Sequence, residues 1–213
     1  MKPEFDSTLY FITDSTNFTE KEFLHSIESA LQGGVTLLQL REKNSTTKDY
    51  ISLARKVHEI SSFYGIPLII DDRVDVALAS NAEGVHLGLE DISTSDARRI
   101  CPDDMIIGAT AKTVPWALDA QAQGADYVGV GAIFPTTTKV KTVITPISTL
   151  KDICQSVSIP VNAIGGLNSG NAHVLKGCGI SGLCVVSAIM RSDDPKSEAK
   201  RLLNIARELK KSE

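Results

Sequence analysis

Eight short apolar runs, each separated from the next by a segment with helical spacing, constrain the fold of this chain more than any other feature. The runs lie at residues 8–13, 35–40, 67–71, 84–88, 105–110, 127–133, 160–166 and 182–189. They are continuously apolar rather than alternating, which is typical of strands covered on both faces in a parallel sheet. Several intervening segments end in glycine, the residue favoured just after a helix C-terminus. Repeated strand and helix units in this number predict an α/β fold, the (β/α)8 TIM barrel.

An open, doubly wound sheet would produce the same alternation of strands and helices. The number of runs favours the closed barrel, and no GxGxxG dinucleotide fingerprint follows the first run. With 213 residues and a hydrophobic content of 42%, the chain can enclose one sizeable core. We therefore expect one (β/α)8 barrel domain over residues 1–213.

Charge and cysteine content exclude several classes of function. The formal net charge of -4, with Lys and Arg scattered among Asp and Glu, offers no basic stripe for a nucleic acid. The four cysteines form no CxxC pair and have no histidine at zinc-finger spacing, so we expect small buried residues in a reducing compartment. No run is long enough to span a bilayer, and the first residues lack the pattern of a signal peptide. We expect a cytoplasmic protein with small-molecule partners and with neither a nucleic acid nor a membrane partner.

The ends of the predicted strands carry the candidate functional residues, because the chemistry of a (β/α)8 barrel lies at the carboxyl ends of its strands. After the second run, Gln39, Arg41 and Lys43 occupy alternate positions, and an extended backbone would direct all three to one side. Two cations and an amide suit an anion such as a phosphate group. The alternative is an ordinary charged loop exposed to solvent.

Acidic residues follow the third and fourth runs. Asp71 and Asp72 come at the end of the third run, and Asp91 follows the fourth. Neighbouring strands of a barrel would bring Asp72 and Asp91 close together, and proteins typically hold Mg²⁺ with one or two carboxylates plus water and substrate oxygens. Helix capping is the alternative for each aspartate, although capping does not require two adjacent carboxylates.

A turn rich in hydroxyl groups follows the sixth run and contains Thr136, Thr137, Thr138 and Lys139. Its hydroxyl and backbone N–H groups, together with one cation, suit a phosphate group, although no P-loop motif is present. The seventh run ends in Gly165 and Gly166 just before a predicted helix, and Ser187 lies near the start of the last helix. Helix starts after strands seven and eight commonly bind phosphate in barrels. Tight strand-to-helix packing is the alternative explanation for the two glycines.

The histidines indicate no catalytic pairing. His86 lies within an apolar run, and we expect it to be a hydrogen-bonded core residue rather than a base. The other three, His25, His58 and His173, fall in predicted helices. No Ser-His-Asp or Cys-His arrangement is recognisable from the sequence.

Five segments taken in order resemble the thiamine-phosphate synthase family: QLREK, DDRVDVALASNAEGVHLGLED, GADYVGVGAIFPTTTK, AIGG and VVSAI. The resemblance extends from about Leu9 to Ile189. It implies a (β/α)8 barrel transferase that joins hydroxymethylpyrimidine diphosphate to hydroxyethylthiazole phosphate, releasing diphosphate and forming thiamine phosphate. It also implies Mg²⁺ as the cofactor and a homo-oligomer as a common form of the family.

The resemblance assigns roles to residues position by position. It implies that Asp72 and Asp91 bind the metal. The residues implied in catalysis are Arg41, Lys43, Thr110 and Lys139. Substrate contacts are implied for Gln39, Leu40, Arg41, Glu42, Lys43, Asp71, Thr110, Thr136, Thr137, Thr138, Lys139, Gly166, Val186 and Ser187. Of these, the pyrimidine diphosphate is assigned to Gln39, Arg41, Lys43 and Lys139, and the thiazole phosphate to Thr136, Thr138, Gly166, Val186 and Ser187.

This chain departs from the family pattern at four positions. Asp71 replaces an asparagine, Leu89 a glutamine, Thr110 a serine and Lys112 a histidine. Thr110 keeps a hydroxyl group, whereas Asp71 exchanges an amide for an acceptor, which bears on pyrimidine contacts more than on the class of reaction. Two alternatives remain. One is a thiazole tautomerase-like relative, which the paired metal aspartates and the diphosphate-binding residues disfavour, and the other is a noncatalytic barrel that binds a phosphate ligand.

Overall fold

The structure is a computed structural model that describes residues 4–136 and 143–211. Its strands are β1 (Leu9–Ile12), β2 (Leu37–Leu40), β3 (Leu68–Asp71), β4 (Gly84–Leu87), β5 (Ile106–Ala111), β6 (Tyr127–Gly131), β7 (Val161–Ile164) and β8 (Gly182–Val185). Each strand pairs in parallel with the next one along the chain, and pairing of β8 with β1 closes the sheet. The predicted (β/α)8 TIM barrel is confirmed, and the open doubly wound sheet is excluded.

Helices connect the strands on the outside of the barrel. They are α1 (Glu20–Gln32), α2 (Thr47–Phe63), α3 (Val74–Ser80), α4 (Thr94–Ile100), α5 (Val114–Ala122), α6 (Ile147–Ser156), α7 (Ser187–Met190) and α8 (Pro195–Lys210). Within the described ranges, no helix is both long enough and apolar enough to cross a membrane.

Two sequence predictions at the end of the chain were wrong in detail. The helix expected after the seventh run is a short 3-10 helix at Ala172–Leu175, because Gly177 and Gly179 follow it with positive φ angles of 72° and 79° and end the helical segment. The eighth run does not stay extended to residue 189, since Ser187–Met190 forms α7. A short apolar segment is compatible with either structure, and its period does not decide between them.

Side chains of the strands alternate between two hydrophobic clusters. In β1, Tyr10 and Ile12 belong to an inner cluster within the barrel, while Leu9 and Phe11 belong to an outer cluster beneath the helices. This division follows from the two-residue period of a strand. Because both faces are buried, the runs read as continuously apolar in the sequence.

Two glycines make room for aromatic rings inside the barrel. A Cβ atom at Gly108 in β5 would lie 2.5 Å from Cε1 of Tyr127 and closer still to the Cζ and hydroxyl oxygen of that ring. A Cβ atom at Gly129 in β6 would lie 3.3 Å from Cε1 of His86. The two rings stack with centroids 5.5 Å apart, and Tyr10 meets Tyr127 edge to face at 5.6 Å. The absence of side chains on β5 and β6 at these positions therefore places a polar aromatic cluster in the barrel interior.

Candidate active site

A pocket opens at the carboxyl ends of the strands, where the barrel predicts the chemistry to lie. The residues assigned by the sequence that line it are Gln39, Arg41, Lys43, Asp71, Asp72, Thr110, Thr136, Gly166, Val186 and Ser187. Three others are not part of that lining. Asp91 lies next to Gly88, the Leu40 side chain packs in the outer hydrophobic cluster, and a Glu42 carboxylate oxygen accepts a hydrogen bond from Ser45 at 3.3 Å. Thr137, Thr138 and Lys139 lie outside the described residues.

An ion-pair cluster occupies one side of the pocket. The Lys43 ammonium lies 2.7 Å from an Asp71 carboxylate oxygen and also forms an ion pair with Asp72. Nε of Arg41 lies 3.8 Å from the same Asp71 oxygen. The end of β2 therefore supplies two cations to the ends of β3, as the alternate spacing in the sequence predicts. Neither aspartate caps α3, because that helix begins after Arg73 without a side-chain capping bond.

The cluster shifts the protonation of its own members. Burial raises the pKa of Asp71, the neighbouring Asp72 charge raises it further, and Lys43 and Arg41 oppose the shift. Burial lowers the pKa of Lys43, but attraction to Asp71 and Asp72 outweighs it and leaves that pKa above its ordinary value. Lys43 is therefore a fully charged ammonium at neutral pH, and it neutralises carboxylates that would otherwise repel a phosphorylated ligand.

Asp72 and Asp91 face a common point beside Gly88. A Cβ atom at Gly88 would lie 2.9 Å from Oδ2 of Asp91 and 4.0 Å from Oδ1 of Asp72, and the Gly88 N–H donates to Asp91 at 2.6 Å. Asp72 has a left-handed backbone with φ of 62°, a conformation that is uncommon outside glycine and clusters at functional sites. Asp91 contacts Gly88, which lines the pocket, but Asp91 itself is not part of the lining. The pairing predicted across neighbouring strands β3 and β4 is present.

The donor chemistry of these two carboxylates fits Mg²⁺. Burial raises the pKa of Asp91, and the Asp72 carboxylate adds to that shift while the Gly88 N–H opposes it. A cation placed beside Asp91 and Asp72 would relieve the repulsion that raises the pKa of Asp91. In the described part of the chain no cluster of three or more His, Cys, Asp or Glu side chains surrounds a metal position. A pair fits Mg²⁺, which takes its remaining oxygens from water and substrate phosphate.

Polar groups continue from the pocket into the barrel interior. Nε2 of Gln39 donates to the Tyr10 hydroxyl at 2.6 Å, and the Tyr10 and Tyr127 hydroxyl oxygens are 2.7 Å apart. Nδ1 of His86 lies 3.1 Å from the Tyr127 hydroxyl, and its Nε2 lies 3.1 Å from the Thr110 hydroxyl. Burial lowers the pKa of His86 to about 4, so the imidazole is neutral at physiological pH.

The sequence predicted part of this interior correctly. His86 is a hydrogen-bonded residue of the barrel interior, as expected, and it also contributes to the pocket lining. Sequence reasoning missed Tyr10 and Tyr127. Their signal was available, because a tyrosine within an apolar strand must find a partner for its hydroxyl when it is buried.

Loops after β6, β7 and β8 form the opposite side of the pocket. Gly165 and Gly166 have positive φ angles of 103° and 63°, and they precede a loop rather than a helix, contrary to the prediction. A Cβ atom at Gly166 would lie 2.6 Å from the backbone oxygen of Pro135, so close packing against the Thr136 loop requires glycine there. Ser187 is the first residue of α7, as predicted near a helix start. Lys112 lines the pocket after β5 and adds a cation to it.

The closed barrel, with paired carboxylates, cations and hydroxyl groups gathered at the carboxyl ends of its strands, defines a (β/α)8 enzyme that acts on phosphorylated small molecules. A family model described as thiamine monophosphate synthase matches residues 9–189. The chain is 50% identical over 195 residues to thiamine-phosphate synthase 2 of Streptococcus pneumoniae, covering 92% of this chain and 93% of the relative. It is 48% identical over 198 residues to thiamine-phosphate synthase of Methanobrevibacter smithii, covering 93% and 94%.

A solved structure agrees with these relatives. The thiamine phosphate pyrophosphorylase of Pyrococcus furiosus superposes with a TM-score of 0.87 at 38% identity, over 95% of this chain and 96% of that one. The chain belongs to the thiamine-phosphate synthase family, and it is a transferase of thiamine biosynthesis.

Proposed function

We propose that the pocket joins hydroxymethylpyrimidine diphosphate to hydroxyethylthiazole phosphate in a Mg²⁺-dependent reaction, with the site residues in the roles that follow. The observation that carries this proposal is the position of Asp72 and Asp91 around one point, next to the Lys43 and Arg41 cations. A hard cation and two basic side chains in one pocket match a diphosphate, which carries several negative oxygens. The buried thiols of Cys101, Cys178 and Cys184 support a cytoplasmic location for the reaction.

The diphosphate end of the pocket stabilises a leaving group. Asp72 and Asp91 would hold Mg²⁺, which supplies positive charge to the diphosphate oxygens when bound. Arg41 offers a planar pair of N–H donors to the same oxygens, and Lys43 and Lys139 act as point charges. Negative charge accumulates on these oxygens as the bond to carbon breaks, so donors already in place favour the transition state over the bound substrate.

The reaction is a substitution at carbon that requires no strong base. The bond between the pyrimidine methylene carbon and the diphosphate oxygen breaks, and its electron pair leaves with diphosphate. The electron-rich aminopyrimidine carries the resulting positive charge until the thiazole nitrogen supplies the electron pair of the new C–N bond. No proton transfer to a side chain is needed for bond formation, which agrees with the neutral His86 and with the charged Lys43 in the pocket.

The other side of the pocket holds the thiazole phosphate. Thr136 and Thr138 would offer hydroxyl groups to this phosphate. Gly166, Val186 and Ser187 line the pocket after β7 and β8, where their backbone N–H groups can reach it. Phosphate at this position is typical of barrels, where the loops after the last strands supply N–H donors. The two substrates then approach each other between the ends of β2 to β4 and the ends of β6 to β8.

Two of the four departures from the family pattern, Asp71 and Thr110, fall on the pyrimidine side of the pocket. Thr110 presents a hydroxyl group to the pocket lining, as the family serine would. Asp71 pairs with Lys43 instead of presenting an amide, so in this chain Lys43 exchanges that carboxylate for the diphosphate when substrate binds. These substitutions change affinity for the pyrimidine substrate rather than the bonds made and broken.

The test is diphosphate release by the purified protein with both substrates and Mg²⁺, then with each substrate omitted and with a chelator. We expect release only when both substrates and the metal are present, and recovery when Mg²⁺ is added back after chelation. Binding of both ligands without turnover by a folded protein would replace this proposal with a phosphate-ligand sensor. Conversion of the thiazole phosphate alone would replace it with the tautomerase-like activity.

A further inference from the structure

A chain of five hydrogen-bonding groups runs through the barrel interior and reaches the pocket at both ends. Its members are Gln39, Tyr10, Tyr127, His86 and Thr110, which come from β2, β1, β6, β4 and β5. The two phenols are fully buried, and Gln39, His86 and Thr110 line the pocket. Buried hydrogen bonds therefore link two separate points of one binding site. Through them, the hydrogen bond that one group makes determines whether another group presents a donor or an acceptor to a ligand.

The direction of this hydrogen-bond chain, meaning the order of donors and acceptors along it, is fixed at the Gln39 end. The Gln39 amide nitrogen donates to the Tyr10 oxygen. Because Tyr10 is fully buried, its own proton needs an acceptor, and the Tyr127 oxygen 2.7 Å away can take it. The Tyr127 proton then goes to Nδ1 of His86. Burial raises the pKa of both phenols well above the ordinary value, so each keeps the proton that this order requires.

The same order of donors and acceptors determines the tautomer of His86 and the direction of the Thr110 hydroxyl at the other end. A neutral imidazole that accepts at Nδ1 carries its proton on Nε2, and that N–H donates to the Thr110 oxygen. The Thr110 proton is then left for a ligand. At the near end, the Gln39 carbonyl oxygen accepts no hydrogen bond from the described residues, and its side chain lines the pocket. The two ends of the hydrogen-bond chain thus offer a ligand one acceptor, the Gln39 carbonyl oxygen, and one donor, the Thr110 hydroxyl.

We propose that Tyr10, Tyr127 and His86 are positioning residues that set this direction and thereby select an aminopyrimidine, whose exocyclic amine donates to the Gln39 carbonyl while a ring nitrogen accepts from Thr110. The inference rests on the proposed function for the identity of the pyrimidine substrate. A 4-oxo pyrimidine has an acceptor in place of the amine and a ring N–H in place of the accepting nitrogen. It mismatches both ends, and groups that recognise a substrate N–H reject an analogue without it.

Three features separate this role from ordinary core packing. The chain joins five different strands, and its ends open into the pocket instead of closing on backbone groups. Gly108 and Gly129 leave the space that the Tyr127 and His86 rings fill. A phenylalanine would supply nearly the same apolar surface as Tyr127, and its missing hydroxyl would interrupt only the order of donors and acceptors.

The first experiment measures the tautomer of His86 and needs no substrate. Protein labelled with 15N-histidine is examined by long-range 1H–15N NMR, and the His86 signals are assigned by their loss in His86→Gln. We expect the Nε2–H tautomer in the unmodified protein and a mixture of tautomers in Tyr127→Phe, because Nδ1 then lacks its donor. Tyr64→Phe is the matched control, since the Tyr64 hydroxyl bonds Gln32 and Glu28 on the outer helices. The Nδ1–H tautomer in the unmodified protein would overturn the proposal.

The second experiment measures selectivity. The ratio of kcat/KM for the 4-amino and 4-oxo pyrimidine diphosphates is compared among the unmodified protein, Tyr127→Phe, Tyr10→Phe and Tyr64→Phe. We expect the first two variants to lower the preference for the amino substrate by about tenfold or more, mainly through KM for the pyrimidine, because each leaves the buried chain without one link. The KM for thiazole phosphate stays constant. An unchanged preference in both folded variants, checked by thermal unfolding, would refute the positioning role.

The two experiments separate failure of this inference from failure of the proposed function. If the unmodified protein releases diphosphate but His86 carries its proton on Nδ1, the function stands and the inference fails. If the protein releases no diphosphate with either pyrimidine, the proposed function fails, and with it the selection of an aminopyrimidine.

Discussion

Replacing Gly108 with alanine tests how tightly the barrel interior is filled. The new methyl carbon would lie 2.5 Å from Cε1 of Tyr127, whereas carbon atoms in contact settle at about 3.5–4.0 Å. The ring must therefore retreat by at least about 1 Å. Its hydroxyl group forms bonds of 2.7 Å to Tyr10 and 3.1 Å to His86, and a retreat of that size breaks at least one of them.

The expected cost follows from this displacement. Overpacking a buried site destabilises a protein by about 1–3 kcal/mol. For a chain of this length, each kcal/mol lowers the melting temperature by about 2–4 °C. Gly108→Ala should therefore lower Tm by about 2–12 °C and raise KM for the pyrimidine substrate, while KM for the thiazole phosphate changes little.

The measurement is thermal unfolding followed by circular dichroism, combined with initial rates at varied pyrimidine concentration. Gly170→Ala is the control, because a Cβ atom there would meet only the tip of Asn168 at 3.2 Å. The double variant Gly108→Ala/Tyr127→Leu relieves the contact, so its destabilisation should be smaller than the sum of the two single effects. Single effects that add within about 0.5 kcal/mol would show that the ring and the methyl group do not compete for space.

Three further predictions concern the metal, the second substrate and the stability of the barrel. Asp91→Ala should reduce turnover strongly while the melting temperature is nearly retained, and near-normal rates at limiting Mg²⁺ would remove Asp91 from the metal site. Thr138→Val should raise KM for the thiazole phosphate in steady-state assays, and an effect confined to the pyrimidine substrate would reverse the assignment of the two halves of the pocket. Asp126→Ala should destabilise the fold by about 2–4 kcal/mol in urea unfolding, because an Asp126 oxygen accepts from Arg98 at 2.6 Å and from the Ile107 N–H at 2.8 Å. The Ile107 N–H then loses that acceptor, and Arg98 loses its counter-charge while it keeps its bonds to the Met105 and Gly124 oxygens. A free energy of unfolding within about 0.5 kcal/mol of the unmodified protein would contradict this account of Asp126.

The fold was predictable because a strand that is buried on both faces appears in the sequence as a continuous apolar run. Strands such as Leu68–Asp71 and Tyr127–Gly131 contain almost no polar residue until they end. The ends of the runs were less predictable. Ser187–Met190 is short and mostly apolar, so its composition is compatible with a strand, whereas the structure shows a helix. Periodicity over four residues carries too little information to choose.

The polar rim of the site was predictable for a geometric reason. In a closed parallel barrel all strands finish at the same end, so Gln39, Arg41 and Lys43 converge with Asp72 without any knowledge of the side chains between them. The interior chain was not predictable in this way. Contacts between Tyr10 and Tyr127 join positions 117 residues apart across the barrel, and only the register of every intervening strand brings their hydroxyl groups together.

The Lys43 ion pairs would make the proposed anion and metal sites of the pocket thermodynamically dependent on each other. An anion that draws the ammonium away from Asp71 and Asp72 leaves those carboxylates uncompensated, and their affinity for a divalent cation rises. A cation that engages Asp72 releases the ammonium for the anion. Linkage requires the two effects to be equal in free energy, so diphosphate would strengthen metal binding by the same factor by which the metal would strengthen diphosphate binding. Such coupling would make occupancy by both ligands cooperative.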